Sequence, residues 1–335
     1  MSETSESLLS FESERSRPCT IPGYPHYIDK NTKTITIRFI HRFQMRLPTT
    51  YSPNLPQFPL ALPNDEIGTE WGHYMGPARA EHGKTEEGLR VAIFGSYRRG
   101  LSVLSTLIGR EIDHPNSINL VGLATDDREV RDPFSGVPNT SRISSQKRVW
   151  QYVPVTQQTI WQGIMEGLAT RNGVPAYCGP IKSDFFRETV LPQWNPDLII
   201  MATFGQLIDA GVIEYPRFGM YNFHPSHLAE NQYPGPNPFQ EMCDAGEAVT
   251  RMTLHKVSTV IDDGQVVGFS PPIRITRANG TYPTVPDLHK KTSPTAGLMA
   301  LALVEQVAAT QEKVDKIDLE AIFSDQEKVA LMEAA

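Results

Sequence analysis

Short apolar runs alternate with segments of helical spacing from residue 89 onward. Residues 89–95, 118–125 and 197–202 each combine an apolar run with a polar or glycine end, which predicts buried strands. Helical spacing in residues 101–108 and 157–171 separates them. This alternation predicts an α/β fold, a Rossmann-like, mostly parallel sheet flanked by helices, with ligands beyond the carboxyl ends of its strands.

The first 88 residues follow a different pattern. Residues 1–20 are rich in Ser and Glu without an apolar period, which predicts a disordered N-terminus. Residues 27–43 alternate apolar and polar positions around Asn31, which predicts a strand or hairpin. The prolines of residues 48–88 indicate an extended segment. We expect residues 21–88 to be an N-terminal extension that packs on the core, mediates dimer contacts or covers a substrate.

The pattern changes again near the C-terminus. Residues 265–275 predict another strand, and the order Ser293-Pro294 predicts a helix start. Residues 314–335 are amphipathic and predict a further helix. The expected division is therefore a catalytic domain over 89–275 followed by a helical segment over 276–335.

Composition narrows the class of protein. The 335 residues are 39% hydrophobic and 21% charged, with a formal net charge of -7. An acidic balance argues against a nucleic-acid partner, and no apolar run is long enough to cross a membrane. The first residues are acidic rather than a basic signal, so we expect a cytoplasmic protein. Cys19, Cys178 and Cys243 are too dispersed to predict a disulfide framework or a metal site.

Candidate chemistry lies in two stretches. Asn222 and His224 are two apart in a predicted strand, so both side chains point to one side. That side cannot be plain core, because a buried amide and a buried imidazole need hydrogen-bond partners. Asp262 lies at an apolar-to-glycine junction, where a tight turn at Gly264 would end a strand. An amide, an imidazole and a carboxylate at neighbouring strand ends are suited to acyl chemistry.

The motif Asn222-Phe-His-Pro-Ser226, followed by Tyr233-Pro-Gly235 and Ile261-Asp-Asp-Gly264, resembles the 10-formyltetrahydrofolate-dependent formyltransferases. That family includes glycinamide ribonucleotide transformylase, methionyl-tRNA formyltransferase, sugar N-formyltransferases and hydroxyornithine formyltransferases. The resemblance spans about residues 90–275. It implies that Asn222 and His224 stabilise an oxyanion, and that Asp262 orients His224 and assists proton transfer. Asp263 is a neighbouring acid, but Asp262 fits the motif better.

The resemblance also implies a site for 10-formyltetrahydrofolate as formyl donor, without a metal. Gln206 occupies a position where some members have Arg, so a guanidinium contact is absent here. Ile208 and Ile213 have an equally good explanation as core residues. The expected donor-binding residues are Phe204, Gly205, Gln206, Ile208, Ile213, Val260 and Ile261.

The acceptor is expected to be a small-molecule amine. The helix after residue 95 opens with Ser96-Tyr-Arg98-Arg99, which suits an anionic acceptor group as well as it suits a solvated turn. Lys147 and Trp150 suggest a further substrate wall or a helix face. Tyr233, Pro234 and Gly235 match the loop that lines the acceptor pocket in the family.

The stretch after the His-Pro-Ser motif carries Glu230, where several relatives have Lys or Arg. This acid favours a hydroxyornithine-type siderophore precursor, with a nucleotide-linked amino sugar as an alternative. Other functions stay open: a 10-formyltetrahydrofolate hydrolase or a non-catalytic folate-binding protein. The incomplete glycine pattern after residue 94 disfavours a nicotinamide-dependent oxidoreductase. The sequence leaves the oligomeric state open.

Overall fold

The computed structural model describes residues 73–77, 84–125, 155–230 and 233–335, and the backbone of short strands between residues 19 and 61. For residues 73, 155–160 and 230, only the backbone is described. The prediction of a disordered N-terminus over 1–20 lies outside the described residues except for Cys19 and Thr20, which belong to a strand. The predictions of an extended segment over most of 48–88 and of a substrate wall at Lys147 and Trp150 also lie outside them. The chain divides into two compact units, residues 1–53 and 54–335.

The first unit contains the hairpin that the alternation over residues 27–43 predicts. Its four strands form an antiparallel sheet in chain order. They are β1 (Cys19–Ile21), β2 (Tyr24–Asp29), β3 (Thr34–Phe39) and β4 (Phe43–Pro48).

The second unit is built on a nine-stranded sheet in the order β14-β13-β11-β10-β7-β8-β9-β6-β5. Its central strands, β11, β10, β7, β8 and β9, run parallel, and antiparallel strands flank them on both sides. The predicted Rossmann-like sheet is confirmed. The strands are β5 (Leu60–Ala61), β6 (His73–Met75), β7 (Leu89–Gly95), β8 (Ile118–Thr125), β9 (Ala176–Cys178), β10 (Leu198–Ala202), β11 (Met220–His224), β13 (Thr253–Lys256) and β14 (Val266–Phe269).

A separate two-stranded antiparallel sheet joins β12 (Val249–Thr250) to β15 (Ile273–Arg274). A π-helical turn (Phe186–Val190) continues directly into α3, and a 3-10 turn spans Leu228–Glu230. The α-helices are α1 (Tyr97–Asp113), α2 (Val155–Arg171), α3 (Leu191–Trp194), α4 (Ala210–Ile213), α5 (Pro238–Asp244), α6 (Val285–Thr310) and α7 (Asp325–Met332).

Two glycines explain how tightly α1 follows β7. A Cβ on Gly95 would lie 3.0 Å from the carbonyl oxygen of Ala202 and 3.1 Å from Cα of Gly100. A Cβ on Gly100 would lie 2.9 Å from the carbonyl carbon of Gly95. The missing side chains therefore let the first turn of α1 pack against the ends of β7 and β10. As a result Arg98 and Arg99 are buried rather than in a solvated turn.

The predicted helix start at Ser293-Pro294 is wrong. The helix α6 already begins at Val285, with Thr284 as N-cap accepting a hydrogen bond from the backbone N–H of Asp287. Pro294 lies inside this helix, and the hydroxyl of Ser293 donates to the carbonyl of His289 at 2.5 Å. The residues Thr284-Val-Pro-Asp, which come earlier in the chain, carry the same signal for a helix start: a capping hydroxyl, a proline and an acid in the first turn.

The predicted single strand over residues 265–275 is also wrong. Its first half is β14, which pairs with β13, and its second half is β15, which pairs with β12. Pro271 and Pro272 separate the two halves. Because proline has no backbone N–H to donate, two prolines in succession break the ladder and let the chain pass from one sheet to the other.

The sheet places polar side chains at its carboxyl edge. The chain passes outward from β7 to β8 and β9, then returns to lie on the other side of β7 as β10 and β11. Ligands of such sheets bind beyond the strand ends near this reversal. None of the described helices has the length and apolar character needed to span a membrane. In the same part of the chain, no cluster of His, Cys, Asp and Glu is arranged to hold a metal ion.

Candidate active site

Strand β11 carries the two polar side chains that the sequence places on one side. Asn222 is 7% exposed and His224 is 5% exposed, so both are buried at the end of an inner strand. On one side β11 pairs with β10, and on the other its register sets Asn222 opposite His255 of β13. Both side chains meet Asp262, which comes from the loop between β13 and β14. The structure thus brings Asn222, His224 and Asp262 together.

Asp262 connects the members of the site. Its Oδ2 lies 3.3 Å from Nδ1 of His224 and accepts a hydrogen bond of 2.8 Å from the backbone N–H of Gly235. Its Oδ1 accepts from Nδ2 of Asn222 at 3.4 Å. Asp263, the neighbouring acid, is exposed. Of the two acids, therefore, Asp262 is the one that faces the imidazole.

The backbone around Asp262 explains the glycine of the motif in a way that the sequence does not predict. Asp262 itself has the left-handed conformation, with φ of 53°. Gly264 is required for a different reason, since a Cβ there would lie 1.7 Å from the carbonyl oxygen of Lys256. The expected strand end at Gly264 is wrong, because β13 already ends at Lys256 and Gly264 lies in the loop before β14. The glycine lets the loop fold back against β13, which carries the carboxylate of Asp262 to His224.

Burial controls the charge of His224. Desolvation lowers its pKa from the ordinary 6.5 to about 4, although the Asp262 carboxylate and the Tyr233 carbonyl act in the opposite direction. Burial alone would raise the pKa of Asp262. The neighbouring His255 ring, the charge of His224 and the Gly235 N–H outweigh that effect and hold the pKa of Asp262 below its usual value. Near neutral pH the site therefore contains a neutral imidazole and an ionised carboxylate.

Both ring nitrogens of His224 face acceptors. Nδ1 faces Asp262, and Nε2 lies 3.0 Å from the backbone carbonyl oxygen of Tyr233. The hydroxyl of Ser226 donates to the same carbonyl at 3.1 Å. A neutral imidazole has one N–H, so it can donate to only one of the two acceptors at a time.

Sequence reasoning missed His255. This residue is 2% exposed, and its Nδ1 lies 2.9 Å from the carbonyl oxygen of Lys256. Nδ1 therefore carries the proton, and Nε2 accepts a hydrogen bond of 3.0 Å from Nδ2 of Asn222. His255 orients the amide of Asn222. The signal that could have found it is the imidazole within an apolar strand, but only the pairing register shows that it faces Asn222.

The residues expected to bind the donor fall into two groups. Val260 and Ile261 are 58% and 56% exposed in the loop that precedes Asp262. Phe204, Ile208 and Ile213 instead pack in the hydrophobic cluster that includes Phe94 and Met220. These contacts fit the alternative that Ile208 and Ile213 are core residues, and Phe204 shares them.

The loop after β10 is tied down through Gln206. Its Nε2 donates to the carbonyl of Gly179 at 2.9 Å, and its Oε1 accepts from the backbone N–H of Ile181 at 3.0 Å. This amide thus connects Gly205 and its neighbours to the segment after β9. In the present structure Gln206 has a positioning role for the loop.

The residues expected to bind the acceptor lie on both sides of the site. Ser96 occupies the N-cap position of α1 without a side-chain capping hydrogen bond, and Arg99 donates from Nη1 to the hydroxyl of Thr203 at 3.0 Å. The guanidinium of Arg98 stacks over the ring of Trp161 at 4.7 Å. These buried arginines form part of the protein interior. In the second loop Tyr233 and Gly235 contact His224 and Asp262, whereas Pro234 is exposed.

The site lies in a segment that has known relatives. Residues 184–284 match the family model described as formyl transferase. A methionyl-tRNA formyltransferase of Anaplasma marginale is 29% identical over 145 residues, covering 43% of this chain and 45% of that protein. One from Thermotoga maritima is 38% identical over 72 residues, covering 22% of each. The chain therefore matches less than half the length of these relatives.

Solved structures with a similar backbone have low sequence identity to this chain. A phosphoribosylglycinamide formyltransferase from Anaplasma phagocytophilum is 17% identical with a TM-score of 0.46, covering 66% of this chain and 88% of that one. A formyltetrahydrofolate deformylase from Pseudomonas syringae pv. tomato is 15% identical with a TM-score of 0.45, covering 66% and 63%.

Proposed function

We propose that the protein is an N-formyltransferase that moves the formyl group of 10-formyltetrahydrofolate to a small-molecule amine, because residues 184–284 match the family model described as formyl transferase. The observation that carries the proposal is the meeting of Asn222 and His224 of β11 with Asp262 of the loop between β13 and β14. All three lie within the segment that matches the family.

The proposed reaction forms one C–N bond and breaks another. The amine attacks the formyl carbon, the carbonyl oxygen becomes an oxyanion, and the bond to N10 of the folate then breaks. The proton lost by the amine ends on N10 of the released tetrahydrofolate. The donors for the oxyanion are an N–H of His224 and the N–H of Asn222 that exchanges its 3.4 Å contact with Oδ1 of Asp262 for the oxyanion. Removal of such a donor typically costs about a hundredfold or more in rate. The ionised Asp262 assists the proton transfer.

The contact between His224 and Tyr233 bears on this mechanism. The Tyr233 carbonyl lies 3.0 Å from Nε2, the His224 nitrogen that faces away from Asp262, and Ser226 donates to the same oxygen. A formyl oxygen that takes its hydrogen bond from this nitrogen has to replace the Tyr233 carbonyl. We therefore include a displacement of the loop around Tyr233 in the proposed cycle, coupled to substrate binding.

The surroundings of the site support a flat, partly apolar donor. Leu207, Val260 and Ile261 are each more than half exposed, at 53%, 58% and 56%, although large apolar side chains are usually buried. They belong to the loop after β10 and the loop before Asp262. In the proposed complex these side chains contact the folate ring system, while Gln206 holds the first loop in place.

The class of acceptor is proposed from the net charge of the chain. A net charge of -7 disfavours a polyanionic acceptor, so a hydroxyornithine-type siderophore precursor is preferred, and a nucleotide-linked amino sugar is kept as the alternative. Methionyl-tRNA is the second candidate, because relatives that match this chain carry that name. The two classes differ in the size of their salt dependence, since affinity for a nucleic acid falls steeply with added salt whereas a small amine makes few ionic contacts.

The test follows tetrahydrofolate release from 10-formyltetrahydrofolate with hydroxyornithine, ornithine, nucleotide-linked amino sugars, glycinamide ribonucleotide and methionyl-tRNA, each compared with a control without acceptor. Release that depends on one acceptor supports the transferase and identifies that acceptor. Release without any acceptor favours a hydrolase in which water attacks. No release with any of them, together with folate binding in a titration, contradicts the proposal and favours a binding protein.

A further inference from the structure

A small cavity lies next to the catalytic loop, on the side of Tyr233 where its phenol ring is placed. Its volume is about 190 Å³. It is bordered by the end of α5, by β12 and by the residues that follow the His-Pro-Ser motif. The lining side chains that matter here are His227, Tyr233, Met242, Glu247, Val249 and Arg251.

The cavity contains groups of both charges. The carboxylate of Glu247 accepts a hydrogen bond of 2.9 Å from the phenol of Tyr233. The guanidinium of Arg251 uses Nη1 for the carbonyl of Ser270 at 2.9 Å and for Glu320 at 3.0 Å. Charged side chains at a concave site fix the orientation of a ligand that carries the complementary groups.

Beside these charged groups, the cavity has an apolar wall and the imidazole of His227. Met242 and Val249 supply an apolar wall. The ring of His227 is stacked on Phe269 with centroids 4.4 Å apart and planes 3° apart. Its Nδ1 is buried without a hydrogen-bond partner among the described residues. Rotation of the His227 ring by 180° keeps it stacked on Phe269 but turns its nitrogen atoms to the other side. His227 can therefore present a nitrogen to a polar ligand.

We propose that this cavity is a binding site for a small zwitterion of the amino-acid class, with its ammonium at Glu247 and its carboxylate at Arg251. The volume supports a small ligand, because sites for drug-sized molecules have roughly 300–1,000 Å³. A folate or a nucleotide is too large for it. The binding site is separate from the expected folate contacts of Val260 and Ile261, and its existence does not depend on the proposed formyl transfer.

Tyr233 connects this cavity to the catalytic residues. Its phenol donates to Glu247 in the cavity, while its carbonyl oxygen lies 3.0 Å from Nε2 of His224. The residue has a left-handed backbone, with φ of 56°, which directs the two groups to different neighbours. An ammonium that binds Glu247 competes with the phenol for the carboxylate. The occupant of the cavity therefore acts on the residue that contacts His224.

The binding test uses isothermal titration calorimetry on the full chain without any formyl donor. The probes are alanine, serine and ornithine, with methylamine and acetate as ligands that carry only one of the two charges. We expect at least one amino acid to bind tenfold or more tightly than either single-charge ligand. Equal or undetectable binding of all probes overturns the proposal.

Two variants assign the binding to the cavity. Glu247→Gln removes the negative charge, and Val249→Phe fills space from a side chain that is 38% exposed and thus tolerant of a larger group. Each is expected to weaken amino-acid binding at least tenfold. Glu312→Gln and Val329→Phe, both at exposed positions elsewhere, are the matched controls and should bind normally. Binding that persists in both cavity variants overturns the assignment, and circular dichroism verifies that each variant is folded.

A second measurement distinguishes whether the bound amino acid is the formyl acceptor or a regulator that does not react. With 10-formyltetrahydrofolate present, mass spectrometry detects whether the bound amino acid gains a formyl group. A formylated product identifies the ligand as the acceptor, and an unchanged ligand identifies it as a non-reacting regulator; both support the binding site. Because binding is measured without the donor, failure of formyl transfer and failure of the site are separate results.

Discussion

The backbone carbonyl of Tyr233 lies 3.0 Å from Nε2 of His224, on the opposite side of the ring from the Asp262 carboxylate. The imidazole thus lies between two acceptors, the backbone carbonyl of Tyr233 and the carboxylate of Asp262. With its pKa lowered by burial to about 4, the ring is neutral near pH 7 and cannot donate to both. The Tyr233 carbonyl is therefore a competitor for the proton that the proposed reaction uses.

Replacement of His224 tests the central donor. His224→Ala is expected to lower kcat for formyl transfer by roughly a hundredfold or more, because a donor to the oxyanion is lost. Binding of the folate should persist, since the exposed apolar side chains expected to contact it are unchanged. The measurement is tetrahydrofolate release combined with a folate titration. Near-normal turnover by this variant would exclude the proposed mechanism.

The two adjacent acids provide a matched pair. Asp262→Asn removes the charge that faces His224 but keeps a residue type that tolerates the left-handed backbone, so its effect is chemical rather than conformational. We expect kcat to fall about a hundredfold or more. Asp263→Asn changes an exposed acid one position later and should leave kcat within about twofold. Equal losses in both variants would contradict the assignment of Asp262.

His255 is expected to act through Asn222 rather than on the substrate. His255→Phe removes the acceptor for Nδ2 of Asn222 and the donor to the Lys256 carbonyl. We expect kcat to decrease roughly tenfold while KM for the donor changes little, because the amide remains present but is less well oriented. His255→Gln offers an amide oxygen in its place and should recover part of kcat. A change in KM alone would indicate a role in binding instead.

Gly264 tests the close approach of the loop to β13. Gly264→Ala would place a Cβ against the Lys256 carbonyl, so the loop has to move and carries Asp262 with it. We expect destabilisation of about 1–3 kcal/mol, typical of an overpacked site, together with loss of activity. Gly235→Ala is a useful comparison, because no atom lies within 4 Å of a Cβ there and only its backbone, with φ of 96°, opposes the change. Chemical denaturation and activity are the two measurements.

Acid should destabilise the protein through His224. A pKa lowered from 6.5 to about 4 means that the unfolded chain binds this proton at a higher pH than the folded chain. Stability is therefore fully present above pH 6.5 and is lost as the pH falls towards 4, by about 3 kcal/mol from this group. The difference in unfolding free energy between wild type and His224→Asn, measured at several values of pH between 4 and 7, isolates its contribution. A difference independent of pH would contradict the neutral state of the buried ring.

Much of the architecture follows from the sequence because it depends on local periodicity. The apolar runs that became β7 and β8, and the order of strands and helices, determine a parallel sheet, since connections of this kind are right-handed and place the strand ends at one edge. The spacing of Asn222 and His224 likewise determines that both side chains share one face of a strand. The helix start at Thr284 and the break at Pro271 and Pro272 were also within reach of the sequence, because caps and prolines act locally.

Tertiary structure alone decided the contacts within the site. The pairing register of β11 with β13 brings His255 to Asn222, and the close approach of Gly264 to Lys256 carries Asp262 to His224. Tertiary structure also decides the contact between the Tyr233 carbonyl and the His224 imidazole, and it forms the cavity that the Tyr233 side chain lines. Such contacts join residues far apart in the chain, and their distances depend on register and loop closure. Local residue pattern determines which chemical groups are present, whereas packing determines which of them meet.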